Sequence, residues 1–336
     1  MILRLPSHKR GQASRLGRTG FPFLHAGTLV HYSVDLGQHR PAALRNPDLE
    51  FVPFSASLAD DMDSLVGEIF RDYANHYQSN PYLAGRDLVA GYREWVGSFS
   101  AGADPSRAAW LIRRGDRFIG FCSCADHAGE ETVEGVLYGV VGTAAGAGVY
   151  GDMIRFTQAW CLEQGRSSMR VSTQVENFAV QKVWVREGFH MTRALDTVHV
   201  NAFLSHSEVP KVVLPLRIDD DKIRRFASLS GDANPIHLDD AAGAAAGFRG
   251  RIAHGVLVEA ELSRVFGTLV PGAGSTYLST AARFLAPIYP DEPYTLLVGF
   301  PWIDRAKGLH KAVAQVRDGD DRLCFLAYGD LLVRQS

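Results

Sequence analysis

The chain has 336 residues, with 35 Lys and Arg against 37 Asp and Glu and 46% hydrophobic residues, proportions typical of a globular protein of about two domains. A formal net charge of −2 provides no general field for a polyanion, so neither nucleic acid nor a membrane surface is expected as a partner. Charged residues interrupt every hydrophobic stretch before it reaches the roughly 18–20 residues that cross a bilayer. We expect a cytoplasmic protein that does not span a membrane.

The cysteines give no sign of a disulfide framework or a metal centre. They are scattered along the chain, and Cys122 and Cys124 are separated by one residue instead of the two of a zinc knuckle. No cluster of His, Cys and acidic residues shows ligand spacing in the sequence. We therefore expect free thiols and no metal.

Composition divides the chain into four segments. Residues 1–48 are rich in Lys and Arg and show no sustained apolar period, which predicts a basic, flexible extension. A first domain is predicted over 49–200 and a second over 211–336. Between them, polar residues and a proline at 201–210 interrupt the apolar pattern and indicate a linker.

The first domain alternates strands and helices without a long loop, which predicts a mixed sheet with helices on both faces, an α/β arrangement. Its predicted elements are strand 51–55, helices 58–73 and 86–96, strands 108–113, 117–124 and 133–141, helix 149–164, strand 169–173, helix 178–186 and strand 190–200.

The second domain has few helices and four consecutive β-rich stretches, which predicts a long helix beside an antiparallel sheet, an α+β arrangement. Its predicted elements are strand 211–216, helices 219–228 and 252–269, and strands within 275–288, 294–301, 310–317 and 322–333.

The most informative motif of the second domain is Ser-Gly-Asp232-Ala-Asn234-Pro235-Ile-His237. Asp232 and His237 lie on either side of a turn that Pro235 stiffens, so a carboxylate and an imidazole can meet as an acid–base pair. Gly255, in the motif Ala-His-Gly at the start of the long helix, offers a backbone N–H and the positive end of the helix dipole to a developing enolate oxygen. A structural interpretation is also open, because Asp-x-Asn-Pro often serves as a turn or a helix cap.

These motifs, followed by Arg283-Phe-Leu-Ala-Pro in a β-rich tail, resemble those of the MaoC-like, (R)-specific enoyl-CoA hydratases of the hot-dog fold. The resemblance covers nearly all of 210–333. It implies that Asp232 and His237 are the catalytic pair, that Asn234 supports their loop and that Gly255 polarises the thioester carbonyl. It also implies a long central helix wrapped by a curled sheet, and a homodimer. The family pattern is not met near Ala242-Gly243 and at Asp291-Glu292, which bears on the shape of the substrate tunnel.

In the first domain, a glycine-rich turn over 142–148 follows a strand and opens a helix, so several backbone N–H groups are placed where a pyrophosphate could bind. Together with Asn177 and the Gly188-Phe189 pair that follows it, this turn resembles the Gcn5-related N-acetyltransferase superfamily over about 50–200, and in particular amino-sugar acetyltransferases of the TDP-fucosamine kind. The resemblance implies a coenzyme A site formed by the residues Val140, Gly146, Ala147, Gly148, Val149, Tyr150 and Asn177.

Two residues depart from that superfamily's pattern. Thr143 stands where Gln or Arg usually begins the loop, and Trp184 stands where a Tyr usually protonates the departing thiolate. The indole N–H of Trp184 cannot act as that acid. Glu134 is the best candidate for a general base, and a solvated carboxylate at the end of a strand is the alternative interpretation of this residue.

The sequence thus predicts a bifunctional enzyme that acts on acyl thioesters of coenzyme A or a carrier protein. The second domain would hydrate 2-enoyl thioesters or dehydrate 3-hydroxyacyl thioesters, and the first would transfer an acyl group from coenzyme A to a small amine. The alternative is that the first domain only binds coenzyme A or a carrier-protein arm for the hydratase. A purely structural hot-dog dimer is a third hypothesis, which the pair Asp232 and His237 disfavours.

Overall fold

The structure is a computed structural model that describes residues 1–17, 21–83, 86–100, 104–127, 129–201 and 211–334. The chain divides into two compact units. The N-terminal unit comprises Ile2–Ala13 and Leu24–His199, and the C-terminal unit comprises Met1, Ser14–Phe23 and Val200–Ser336. Apart from residue 201, the predicted linker at 201–210 lies outside the described residues. Within the described ranges, no helix is both long and apolar enough to cross a bilayer.

The first 200 residues contain eight described strands in one sheet, whose spatial order is β1-β8-β2-β7-β6-β5-β4-β3. The strands are β1 (Ile2–Pro6), β2 (Phe23–Asp35), β3 (Leu49–Pro53), β4 (Arg107–Arg114), β5 (Arg117–Asp126), β6 (Thr132–Val140), β7 (Ser168–Gln174) and β8 (His190–Val200). The α-helices are α1 (Ala13–Leu16), α2 (Ala59–Ile69), α3 (Leu88–Gly97), α4 (Val149–Glu163) and α5 (Phe178–Arg186). Every element predicted for 49–200 is present, with its ends shifted by a few residues at most.

The prediction of a flexible extension over 1–48 is wrong. β1 pairs with β8, and β2 pairs with β7 from Leu29 to Asp35. β2 buries Val30, Tyr32 and Val34 on one face, and these apolar residues alternate with more polar ones as a half-buried strand requires. The sequence of β2 contains this alternation, but the basic residues on either side of it indicated a flexible extension.

Helices cover both faces of this sheet, as predicted. On β6, the Tyr138 hydroxyl reaches the side chain of Thr157 in α4, at 2.9 Å. The next residue, Gly139, faces the opposite side, where a Cβ atom would lie 2.7 Å from the side chain of Ile69 in α2. Since neighbouring residues of a strand point to opposite faces, α2 and α4 pack on opposite sides of the sheet.

The parallel strands β6 and β7 pair only over a short stretch. Their register runs from Thr132↔Ser168 to Gly135↔Val171. The pairing of β5 with β6 skips one residue of β6 at the same place, because Ser123 opposes Leu137 and Cys124 opposes Gly135. Such a bulge bends a strand. β6 and β7 therefore separate beyond residue 135, and their unpaired backbone groups face each other across a gap.

The C-terminal unit places one long helix against a five-stranded antiparallel sheet of order β10-β13-β12-β11-β9. Leu262, Val265 and Phe266 of the long helix are buried in one core with residues of the sheet such as Leu296 and Phe325. This is the predicted hot-dog arrangement. Its elements are β9 (Lys211–Leu216), α6 (Asp220–Ser230), α7 (Pro235–Leu238), α8 (Asp240–Ala245), α9 (Gly255–Thr268), β10 (Ser275–Phe284), β11 (Tyr294–Asp304), β12 (Leu309–Arg317) and β13 (Leu323–Val333).

Candidate active site

The loop between α6 and α7 carries the acid–base motif. α6 ends at Gly231, whose φ of 77° is the left-handed conformation that glycine adopts without strain, and Asp232 follows. The Asn234 side chain then caps α7 by accepting from the Ile236 N–H, with Pro235 in the first turn. His237 is therefore held on a single helical turn. Asn234 thus caps the turn that carries His237.

The structure brings Asp232 and His237 together, with 4.0 Å between Asp232 Oδ2 and His237 Nε2. His237 Nδ1 lies 2.8 Å from the Ile252 carbonyl oxygen, which can only accept, so Nδ1 carries a proton and donates it. In the neutral ring the lone pair is then on Nε2, which faces the carboxylate. The His237 side chain is only 10% exposed, whereas that of Asp232 is 52% exposed. The pair thus joins a fixed imidazole to a carboxylate that is open to solvent.

His254, the histidine of the Ala-His-Gly motif, is a direct neighbour of this pair. Its ring stacks on that of His237, with 3.9 Å between centroids and 28° between planes. Its Nε2 lies 3.0 Å from the Asp232 carbonyl oxygen and therefore donates to it. His254 thus fixes both members of the pair, one through its ring face and the other through the backbone. In the sequence, only its position next to Gly255 in the Ala-His-Gly motif indicates that His254 lies near the pair.

The sequence showed no metal-ligand spacing, but the fold assembles a group that could hold an ion. Asp232, His237 and His254 each offer one ligand atom, and these atoms lie within 4.8 Å of one another. His237 Nδ1 donates to the Ile252 carbonyl oxygen and His254 Nε2 donates to the Asp232 carbonyl oxygen. In the neutral rings, His237 Nε2 and His254 Nδ1 therefore remain, with the Asp232 carboxylate, to accept from a water or to hold an ion.

Gly255 begins α9, directly after His254, as predicted. The N–H groups of a first helical turn have no acceptor within the helix, so that of Gly255 is available to an oxygen. A Cβ atom at this position would lie 2.8 Å from the ring of Phe284. The absence of a side chain therefore lets the β10 aromatic ring approach the start of the helix.

One of the two departures from the family pattern has a structural explanation. A Cβ atom on Gly243 would lie 2.2 Å from the Gly250 carbonyl oxygen, so no larger residue fits there. At the other, Glu292 forms an ion pair of 2.9 Å with Arg249.

The N-terminal unit contains a cavity of about 710 Å³ at the gap between β6 and β7. Residues of both strands line it, together with Tyr150, Asn177 and Trp184. Asn177 Nδ2 donates to Thr173 Oγ1 at 3.1 Å, which fixes the side chain of Asn177 at the cavity wall. Tyr92 and Trp95 also line this cavity.

The predicted pyrophosphate loop has the expected backbone form. Gly146 and Gly148 both adopt positive φ values, of 80° and 83°, and α4 begins at the next residue, Val149. The buried carboxylate of Asp152 in α4 accepts from the backbone N–H groups of Arg45 and Asn46 at 2.8 and 2.9 Å, and the Asn46 side chain donates to the carbonyl oxygen of the loop residue Ala147 at 3.1 Å. Of the predicted coenzyme-binding residues, only Tyr150 and Asn177 line the cavity. The other five do not, namely Val140, Gly146, Ala147, Gly148 and Val149.

Glu134 does not face the cavity, and the structure corrects its assignment as a general base. Its Oε2 lies 2.9 Å from His127 Nε2 and 3.2 Å from Arg170 Nη2. It stands on the paired part of β6, before the strands separate, and does not line the cavity. The alternative interpretation is a solvated carboxylate at the end of a strand. Glu134 is the third residue of β6, and its partly exposed carboxylate forms ion pairs.

An imidazole–carboxylate pair beside a helix N-terminus, on a hot-dog fold, defines a class of acid–base lyases. Comparison with known proteins places the chain within it. The model of the MaoC like domain matches residues 202–298. A 3-hydroxybutyryl-CoA dehydratase of Methylorubrum extorquens is 40% identical over 76 residues, which are 23% of this chain and 48% of that protein. An (R)-specific enoyl-CoA hydratase of Rhodospirillum rubrum is 33% identical over 103 residues, 31% of this chain and 72% of that protein. The chain belongs to the MaoC-like family through its C-terminal unit.

The match spans between about half and three quarters of the length of these two relatives. Among solved structures, a GCN5-related N-acetyltransferase of Sphaerobacter thermophilus aligns with 59% of this chain and 58% of its own, at a TM-score of 0.44 and 13% identity.

Proposed function

We propose that the C-terminal unit adds water to 2-enoyl thioesters, or removes it from 3-hydroxyacyl thioesters, with (R) stereochemistry. The observation that carries this proposal is the separation of 4.0 Å between His237 Nε2 and Asp232 Oδ2, with Nδ1 committed to the Ile252 carbonyl oxygen. A water oxygen between the two groups can hydrogen-bond to both at ordinary distances. The relatives named above carry out reactions of this class.

The pair performs two proton transfers in the proposed reaction. It takes one proton from the water oxygen as this oxygen bonds to C3 of the enoyl thioester, and it returns one proton to C2 of the enolate. The sum is the addition of one water across the double bond. His237 Nε2 can accept a proton because its lone pair is unused, and the carboxylate of Asp232 both stabilises the imidazolium that results and takes part in the proton transfer.

Gly255 supplies the third group that the reaction requires, a donor to the thioester oxygen. As water adds at C3, negative charge develops on the thioester oxygen, and the first-turn N–H of α9 together with the helix dipole stabilises it. The effect is local to the first turn, so the oxygen must lie beside Gly255.

Hydration of crotonyl-CoA by the full chain tests this function, followed by the loss of the enoyl-thioester absorbance and by chiral analysis of the product. His237→Gln keeps a polar side chain but removes the imidazole, and it should lower kcat by about 10²-fold or more. The matched control is His127→Gln, which changes an imidazole paired with Glu134 in the N-terminal unit. A 3-(S) product, or a His237→Gln variant as fast as the control, contradicts the proposal. Parallel assays with enoyl carrier protein determine the preferred thioester.

For the N-terminal unit we propose binding of a coenzyme A thioester and transfer of its acyl group to a small amine, such as that of an amino sugar. Two features support this. The separated strands β6 and β7 leave backbone groups free to pair with the amides of a pantetheine arm. The loop at 146–150 presents backbone N–H groups at the start of α4, where a pyrophosphate is stabilised.

A second candidate function for this unit is binding without transfer, and Trp184 favours it. This residue lines the cavity but cannot protonate a leaving thiolate. Thiol release from acetyl-CoA in the presence of a panel of amines separates the two hypotheses. Release that depends on one amine supports the transferase, and coenzyme A binding without any release supports the binding module.

We further propose that the protein is a homodimer through its hot-dog unit. β10 is an edge strand, and it exposes the apolar side chains of Leu278 and Phe284 by 51% and 53%. Sedimentation at micromolar concentration should give twice the chain mass of 36.8 kDa. Leu278→Glu should shift the protein towards the monomer.

A further inference from the structure

A chain of hydrogen bonds in the N-terminal unit fixes the proton of one cavity residue, His76. The Asn80 side-chain oxygen accepts from the Tyr82 N–H at 3.2 Å, so its amide nitrogen is the atom 3.2 Å from His199 Nδ1. An amide nitrogen only donates, so His199 Nδ1 accepts and its proton is on Nε2. That Nε2–H donates in turn to His76 Nδ1, at 2.9 Å. His76 therefore carries its own proton on Nε2.

Both imidazoles are neutral near pH 7. Burial, together with the charges of Arg4 and His199, lowers the pKa of His76 to about 4. Burial also lowers the pKa of His199, with the N-terminal ammonium and Arg4 acting in the same direction. His76 is thus a neutral hydrogen-bond donor and not a base.

The guanidinium group of Arg4 lies close to the Nε2 atom of His76. Its Nη2 lies 3.4 Å from His76 Nε2, and its Nη1 donates to Thr197 Oγ1. Two N–H donors cannot bond to each other, so this contact brings together two donors that share no acceptor. Within the part of the chain that the structure describes, no carboxylate forms an ion pair with Arg4. Arg4 and His76 both line the cavity.

We propose that Arg4 and His76 form a subsite for one oxyanion, the carboxylate of a small molecule that occupies the cavity beside the coenzyme A thioester. This inference rests on the proposed function of the N-terminal unit only for the identity of the second occupant. The acceptor of the acyl group is then an amine that also carries a carboxylate.

The number of charges selects a carboxylate. The subsite offers one guanidinium and one neutral imidazole N–H, which match a single negative charge on two oxygens. The other two charged residues that line the cavity, Arg86 and Asp87, carry opposite charges and add no net charge to it. A phosphate near pH 7 carries up to two charges and three acceptor oxygens, and would leave charge unpaired here. A neutral amide would supply one acceptor oxygen but would forgo the charge-assisted bond to Arg4. The aromatic side chains of Tyr92 and Trp95 line the same cavity and suit a carboxylate with an apolar body.

Ligand-detected NMR on the full chain tests the subsite with three probes: phenylacetate, its neutral analogue phenylacetamide, and inorganic phosphate. Phenylacetate should bind about tenfold more tightly than phenylacetamide, because a charge-assisted hydrogen bond is roughly twice as strong as a neutral one. Arg4→Met and His76→Phe should each abolish this preference. The matched controls are Arg113→Met and His127→Phe, which change an arginine paired with Glu50 and a histidine paired with Glu134.

A measurement on the unchanged protein does not depend on whether the variants fold. A long-range ¹H–¹⁵N spectrum near pH 7 should show both His76 and His199 as Nε2–H tautomers, and phenylacetate should shift the His76 Nε2 resonance. A Nδ1–H tautomer of His76, equal binding of the two phenyl probes, or phosphate binding in place of phenylacetate would each overturn the inference.

Binding of coenzyme A is measured on the same sample. If coenzyme A binds and phenylacetate does not, only the subsite is refuted, and the reverse result refutes acyl transfer while the subsite stands.

Discussion

Replacing Asp232 by Asn tests the acid–base pair directly, since it removes a charge and a proton acceptor while keeping the shape of the side chain. The fold should tolerate the change. The side chain is 52% exposed, and its one backbone contact, from the Asn234 N–H to Oδ1 at 3.3 Å, remains possible with an amide. The free energy of unfolding should change by less than about 0.5 kcal/mol.

The catalytic effect can be estimated from the distance in the pair. At 4.0 Å, a carboxylate stabilises an imidazolium by about 1 kcal/mol in bulk water and about 4 kcal/mol near a protein surface. The exposure of Asp232 moves the value towards the lower limit. Loss of a proton-transfer group costs about 10²–10⁴-fold in rate, or roughly 3–5 kcal/mol. If Asp232 acts only as a screened charge, its replacement should therefore lower the rate much less than if it transfers a proton.

The assay is the initial rate of crotonyl-CoA hydration, together with thermal unfolding of each variant. Asp232→Asn should lower kcat by about 10²-fold or more at an unchanged Tm. Asp239→Asn is the control, because Asp239 is also close to His237 in sequence but caps α8 by accepting from the Ala242 N–H at 2.9 Å. A loss of only about fivefold in Asp232→Asn would match a screened charge alone, and the proton-transfer role would then be wrong.

Three further predictions concern the backbone positions and a buried carboxylate. Gly255→Ala should lower both kcat and Tm, because its Cβ would lie 2.8 Å from the Phe284 ring, and Phe284→Leu in the same chain should restore part of the Tm. Gly148→Ala should weaken coenzyme A binding measured by calorimetry and cost about 1–2 kcal/mol of stability, because φ is 83° there. Burial raises the pKa of Asp152, but hydrogen bonds from Arg45 and Asn46 outweigh burial and the pKa is lowered from its ordinary 3.8. Its contribution to stability is therefore complete above about pH 4 and is lost as the pH falls through the lowered value, so Asp152→Asn should flatten the fall in urea stability under acid.

The sequence could predict that Asp232 and His237 meet because the parts of the C-terminal candidate site are close together in the chain. Asp232 and His237 are five residues apart, and the turn between them is determined by a glycine, a capping asparagine and a proline. The third group, Gly255, lies at a helix start that the apolar period of α9 already indicated. Local chemistry determines local geometry here, so a motif suffices.

The N-terminal site could not be predicted in this way, because its cavity joins distant segments. Arg4 lies on the first strand, His76 follows α2, and His199 lies near the end of β8. Only the pairing of β1 with β8 brings Arg4 beside Thr197. A basic residue near a chain start indicates nothing by itself. The same reason explains Glu134, whose place on a strand was known but whose distance from the gap depended on where β6 leaves β7.

The choice between a transferase and a binding module depends on which hydroxyl could replace the missing acid at Trp184. Tyr138 lines the cavity, but its proton is donated to Thr157 Oγ1 at 2.9 Å. Tyr150 lines the same cavity, and burial raises the pKa of its hydroxyl well above the ordinary value, so it holds its proton more firmly than a free tyrosine. A firmly held proton suits a hydrogen bond to a thioester oxygen better than donation to a thiolate. The cavity therefore has the means to bind a thioester, and neither Tyr138 nor Tyr150 is suited to return the proton to sulfur. Tyr73, Tyr77 and Tyr92 also line the cavity, so the proton in any transfer comes from one of these three, from the acceptor amine or from water.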